Sequence, residues 1–171
     1  MSISQDAKAS VAKELHRIEE DCAHSGKAQF NASDRWRMYH YWLGVPSAIL
    51  SGIAGLAFLK SEPLVGAGIS IIAAILTALV TFLKPSERAA AHKQSGDQYL
   101  ALRNDARVLR EIKLQHVCDD QAAINGLEEL TKRRNELNAS SLPFARRDFE
   151  RARKGIDGGE ATHRVDRRAA Q

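Results

Sequence analysis

The chain has 171 residues, 27% of them charged and only 6% aromatic, too little dispersed apolar surface to wrap a large soluble core around its two long uncharged runs. Its 25 basic and 21 acidic residues leave a formal charge of +4, spread mostly over mixed-sign helical faces, which points to no specific nucleic-acid partner. The mildly negative mean hydropathy averages those two runs against a highly charged remainder.

At the N-terminus Ile3, Ala7, Val11, Leu15, Ile18 and Cys22 recur every three or four residues, with Lys8, Lys13, Glu14, Arg17, Glu19 and Glu20 between them. That period predicts an amphipathic helix whose apolar stripe needs a partner, and the helices after the apolar runs are the obvious one. Gly26 is expected to end or loosen it, and 28–38 to lead onward as further helix. Residues 1–40 thus read as an N-terminal helical arm.

The runs 41–59 and 63–83 contain no Asp, Glu, Lys or Arg, and only Lys60, Ser61 and Glu62 separate them. At about 1.5 Å per residue each spans roughly 30 Å as a helix, the hydrocarbon thickness of a bilayer. So short a connection forces an antiparallel transmembrane hairpin over 41–83. Arg35, Arg37, Lys84, Arg88 and Lys93 flank its open ends, while Lys60 in the turn is balanced by Glu62, so both termini are expected in the cytoplasm. Trp36, Tyr39, Tyr41 and Trp42 fall at headgroup level on that same side. The first apolar run begins far from Met1, so the expectation is a chain that inserts uncleaved through its own spans.

Within the first span, Pro46 either starts the tight part of the helix or kinks it, and Gly44 with Pro46 is a candidate hinge. Gly44, Ser47, Ala48, Ser51 and Gly55 share one face, and Gly66, Ser70, Ala74, Thr77 and Thr81 share a face of the second span. Such small-residue stripes let helices approach closely. One stripe suffices for the hairpin; the other either adds to the same packing or meets neighbouring chains or lines a hydrated path. Ser70, Thr77 and Thr81 are the candidate lining.

After the membrane, Pro85 marks a candidate bend into a long helix in the region 84–156. His92, Gly96, Tyr99, Arg103 and Ala106 share a stripe there, and a mid-helix glycine, costing up to about 1 kcal/mol, implies close approach of another helix. Asp119 and Asp120 are expected to cap a second helix with Ala123, Leu127, Leu130 and Leu137 inward. Residues 140–143 break the pattern, 144–156 form one more helix, and 157–171 read as a disordered tail. Arg146, Arg147, Arg151, Arg153, Lys154, Arg164, Arg167 and Arg168 form either a solvated charged face or a patch for anionic lipid or nucleic acid.

No motif for phosphate cradling or hydrolysis is present, and no catalytic residue, cofactor or metal is expected. Cys22 and Cys118 are isolated thiols, and the six histidines lack ligand spacing. His92, close to the membrane exit, either senses pH or anions or makes a structural hydrogen bond. The uncharged spans argue against proton relays.

Taken with these flanks, Leu43-Gly44-Val45-Pro46 opening the first span and Phe82-Leu83-Lys84-Pro85-Ser86-Glu87-Arg88-Ala89 leaving the second resemble the SLATT family, two-transmembrane effector domains of prokaryotes. His92, Gly96, Tyr99 and Arg103 look like that family's post-membrane helix. The resemblance implies an all-α membrane protein acting as an oligomeric inner-membrane effector of antiphage defence. Such effectors form pores or disrupt the bilayer when a nucleotide second-messenger synthase or sensor protein signals, and the four residues become candidates for coupling. No sensor domain is recognisable in this chain. Holin-like pore formation and a non-conducting anchor for a cytosolic partner are the alternatives; a membrane enzyme is more remote.

Overall fold

Helix α1 covers Gln5–Leu59, 55 residues, without a break at either Gly26 or Pro46. The computed structural model describes residues 5–116 and 119–161, and all regular structure among them is helical. Ile3, Cys118 and the expected tail from residue 162 onward lie outside the described residues. After α1 come α2 (Pro63–Leu83), α3 (Pro85–Val108), a π-helical turn (Leu109–Lys113), the short α4 (Leu114–His116), α5 (Asp120–Ser140) and α6 (Arg146–Asp157). The chain divides into two compact units, one made of the described residues up to Ala32 and from Ala91 onward, the other of Ser33–Ala90.

In the first unit, Val11, Leu15, Ile18 and Cys22 of α1 pack with Tyr99, Leu102 and Ala106 of α3, Leu114 of α4, and Ala123, Leu130 and Leu137 of α5. Each large apolar side chain so buried contributes about 1.5–3 kcal/mol. Gly26 does not end the helix. A Cβ there would lie 3.1 Å from Tyr99 Cβ, and one on Gly96 would lie 2.9 Å from the Phe30 ring. The helical cost of both glycines is therefore offset by the closeness of α1 and α3.

Asp119 occupies the N-cap of α5, but its side chain makes no capping hydrogen bond. Ser141 leaves α5 in extended conformation, and α6 starts where Asp148 Oδ2 accepts a hydrogen bond from the Ala145 N–H at 3.1 Å. Past α6 the chain turns through Gly159 at φ 84°, and Ala161 accepts a hydrogen bond from Arg103, so 157–161 pack onto the unit.

In the second unit the later part of α1 and all of α2 form an antiparallel pair. Two non-glycine residues in left-handed conformation bound α2, Ser61 (φ 62°) in the turn and Lys84 (φ 46°) at the exit. Pro85 then opens α3 as a buried first-turn residue, where its missing N–H costs nothing. Pro46 stays inside α1, so the carbonyl one turn before it lacks the usual partner. Both helices are long and apolar enough to cross a membrane.

Candidate functional site

Two sets of residues carry functional interest, one in each unit. In the hairpin, Ser47 is buried and its Oγ lies 2.6 Å from Thr77 Oγ1. Both hydroxyls also reach the Ala73 carbonyl, Thr77 at 2.9 Å and Ser47 at 3.2 Å, so one of them donates to that carbonyl while the other donates across the hydroxyl pair. Ala54 and Ala73 are also buried, and Gly66 sits under the Phe58 ring, 2.9 Å from where its Cβ would be. Ser47, Gly66 and Thr77 therefore join the two helices.

Ser51, Ser70 and Thr81 hydrogen-bond within their own helices, to the carbonyls of Ser47, Gly66 and Thr77 at 2.8–2.9 Å. With Gly55, Ala74 and Thr77 they line an open groove of about 660 Å³ along the hairpin. Their protons are satisfied, yet each hydroxyl oxygen keeps acceptor capacity. A Cβ on Gly44 or Gly55 would meet nothing within 4 Å. Trp36 at the base of the hairpin carries Arg88 at 4.8 Å and Arg35 at 5.5 Å from its ring centroid. Ser33 there donates to the Ala89 carbonyl at 2.8 Å.

The second set is a buried polar network in the first unit. His92 and Gln29 are 2% and 1% exposed, with His92 Nδ1 at 2.5 Å from Gln29 Oε1. Gln29 Nε2 donates to the Leu142 carbonyl at 3.0 Å. An amide whose nitrogen faces a carbonyl must offer its oxygen to the imidazole, so His92 Nδ1 carries a proton. Asn31 donates to the Asp148 carbonyl at 3.0 Å, and the Tyr99 hydroxyl donates to Asn138 Oδ1 at 2.6 Å. Burial raises the Tyr99 hydroxyl above its ordinary pKa.

Burial likewise pushes the Cys22 thiol up to about 11. The π-helical turn places Arg110 against Glu19 of α1 in a two-pronged contact at 2.6 and 3.2 Å, and this pairing raises the guanidinium pKa further.

Of the coupling candidates, His92, Gly96 and Tyr99 thus hold α3 against α1 and the segment after α5, while Arg103 reaches Ala161. Gln29, Asn31, Asn138 and Asp148 escaped the sequence reading. Gln29 had a signal: it lies seven residues after Cys22 on the same apolar stripe, where a polar side chain implies a buried partner. Comparison with protein-family models, with curated proteins and with solved structures found no match to the chain.

Proposed function

We propose that the chain is an oligomeric inner-membrane effector of the kind its SLATT resemblance implies, releasing ions or disrupting the bilayer on a signal from a nucleotide second-messenger synthase or sensor. The observation that supports it most is the surface of the second unit. Leu64, Phe82, Leu59 and Trp42 are 87%, 85%, 82% and 70% exposed, a density of large apolar side chains that water does not tolerate and lipid does. Against that apolar surface the groove bordered by Ser51, Gly55, Ser70 and Thr81 is the one face carrying several hydroxyls.

A single hairpin cannot enclose an aqueous path. Several copies, grooves inward, would line a lumen with hydroxyl oxygens while the bulky side chains face lipid. In this arrangement both termini lie in the cytoplasm, Gly44 and Pro46 give the first span its adaptable entry, and the network around His92 holds the helices that receive the signal.

Membrane potential in bacteria expressing the native chain, read with a voltage-sensitive dye beside Gly66→Leu, tests the reading. The native chain depolarises the membrane. The variant, whose new side chain must displace Phe58, does not. A membrane that stays polarised at verified expression, with a stable partner captured, would make the protein a scaffold instead.

A further inference from the structure

A cavity of about 300 Å³ opens between α1, α3 and α6 of the first unit. Its wall is mostly apolar, with Ala23 and Phe30 from α1, Leu100 from α3 and Ile156 from α6. Two cations stand on it, Lys27 and Arg103. Size, apolar lining and a few convergent polar groups are what small-molecule sites share.

The charges are unbalanced. Lys27 is ion-paired with Glu160, in the turn after α6. Arg103 donates from Nη2 to the Ala161 carbonyl at 3.0 Å and has no carboxylate partner among the described residues. Among the described residues two positive charges thus face one negative charge, and a guanidinium with four further N–H donors is offered one neutral acceptor.

The single carboxylate is also held loosely. The Glu160 side chain is 63% exposed and that of Lys27 27%, and an ion pair that water reaches so freely is readily exchanged. Gly155 lies beside this pair: a Cβ there would meet the tips of both side chains, Glu160 Oε2 and Lys27 Nζ, at 2.6 Å.

We propose that this cavity binds a small organic anion with an apolar body, whose charge takes Arg103 and displaces Glu160 from Lys27. The body fills the space between Phe30, Leu100 and Ile156, and the resident carboxylate marks where the ligand's own charge sits. Guanidinium and ammonium together suit either a carboxylate or a phosphate monoester. Binding is read by occupancy, so it stands or falls apart from the membrane reading.

The test is calorimetric titration of the full chain in phosphatidylcholine nanodiscs, with empty discs as the blank. The probes are 1-naphthoate, 1-naphthyl phosphate and the uncharged 1-naphthalenemethanol. Both anions are expected to bind, and the alcohol to bind at least about tenfold more weakly. The tighter of the two anions identifies the ligand's charged group. Arg103→Gln should weaken the anions about tenfold or more, and Glu160→Gln, an exposed substitution that threatens no core, should tighten them roughly threefold. No measurable heat with either anion would overturn the proposal. Equal affinity for the alcohol would do so too, as would anion affinities indifferent to Glu160→Gln.

Discussion

Replacing Gln29 by Ala should be among the costliest single changes outside the apolar core. The amide is 1% exposed and serves two buried partners, the His92 ring at 2.5 Å and the Leu142 carbonyl at 3.0 Å. Truncation leaves the imidazole N–H and the carbonyl without acceptor and donor, at about 1–3 kcal/mol for each orphaned group if no water enters. A void the size of the lost amide adds to this, so the expected loss is about 3 kcal/mol.

For a chain of this length 1 kcal/mol moves the midpoint by about 2–4 °C, so the thermal transition followed by far-ultraviolet circular dichroism should fall by roughly 6–12 °C. Gln29→Met, which fills the volume without hydrogen bonding, should recover only the void's share. In a double-mutant cycle with His92→Ala the two losses should couple by more than about 1 kcal/mol, because each variant orphans the other's partner. A midpoint within about 1 °C of the native chain, or strict additivity with His92→Ala, would refute the network.

Gly96→Ala should cost about 1–3 kcal/mol, since its Cβ would lie 2.9 Å from the Phe30 ring; Phe30→Leu in the same chain should restore most of the lost midpoint. Lys84→Val should lower stability by about 1 kcal/mol because a β-branched residue resists the left-handed conformation at φ 46°, whereas Lys84→Asn is tolerated; equal midpoints would mean the exit is not held there. The Cys22 thiol, raised from 9.0 to about 11 by burial, stays protonated in the folded chain while the unfolded chain ionises. Stability therefore falls as pH rises through 9 to 11, and in chemical denaturation across that window the fall should be shallower for Cys22→Ala.

What the sequence made legible was periodic. Val11, Leu15, Ile18 and Cys22 are all within 5% exposure, and Ala123, Leu130 and Leu137 are buried on α5, because a 3.6-residue apolar period demands burial whatever the partner is. Gly96 was legible for a related reason, since a helix accepts a glycine where another helix needs the space. Gly26 obeys the same rule: expected to end or loosen the helix, it instead makes room for Tyr99 within an unbroken α1.

The polar partners were not legible, because pairing is a long-range choice: Gln29 meets a carbonyl 113 residues away and Glu19 an arginine 91 residues away. The π-helical turn that aims Arg110 had no marker either. Leu109–Lys113 holds no glycine or proline, and the extra residue in the turn shows only as a shift of which side chains face α1.

The hairpin shows a further limit of stripes. Counting at 100° per residue puts Ser47, Ser51 and Gly55 on one face of α1 and Gly66, Ser70, Thr77 and Thr81 on one face of α2, as if one stripe faced inward and the other away. The structure divides each stripe along its length. Ser47 reaches Thr77 between the helices, while Ser51 and Gly55 border the groove; Gly66 lies under Phe58, Ser70 and Thr81 border that same groove, and Thr77 does both. Contact and groove positions thus alternate along one stripe, because the face a stripe presents is wider than the line along which two helices touch. Substitutions on a single stripe therefore have two different meanings. Ser47→Ala removes a bond that joins the helices and should loosen the hairpin itself, whereas Ser51→Ala removes only a hydroxyl bonded within its own turn. If the groove lines a lumen, ion flow should change with Ser51→Leu at unchanged hairpin stability, and the separation of those two readouts distinguishes lining from packing.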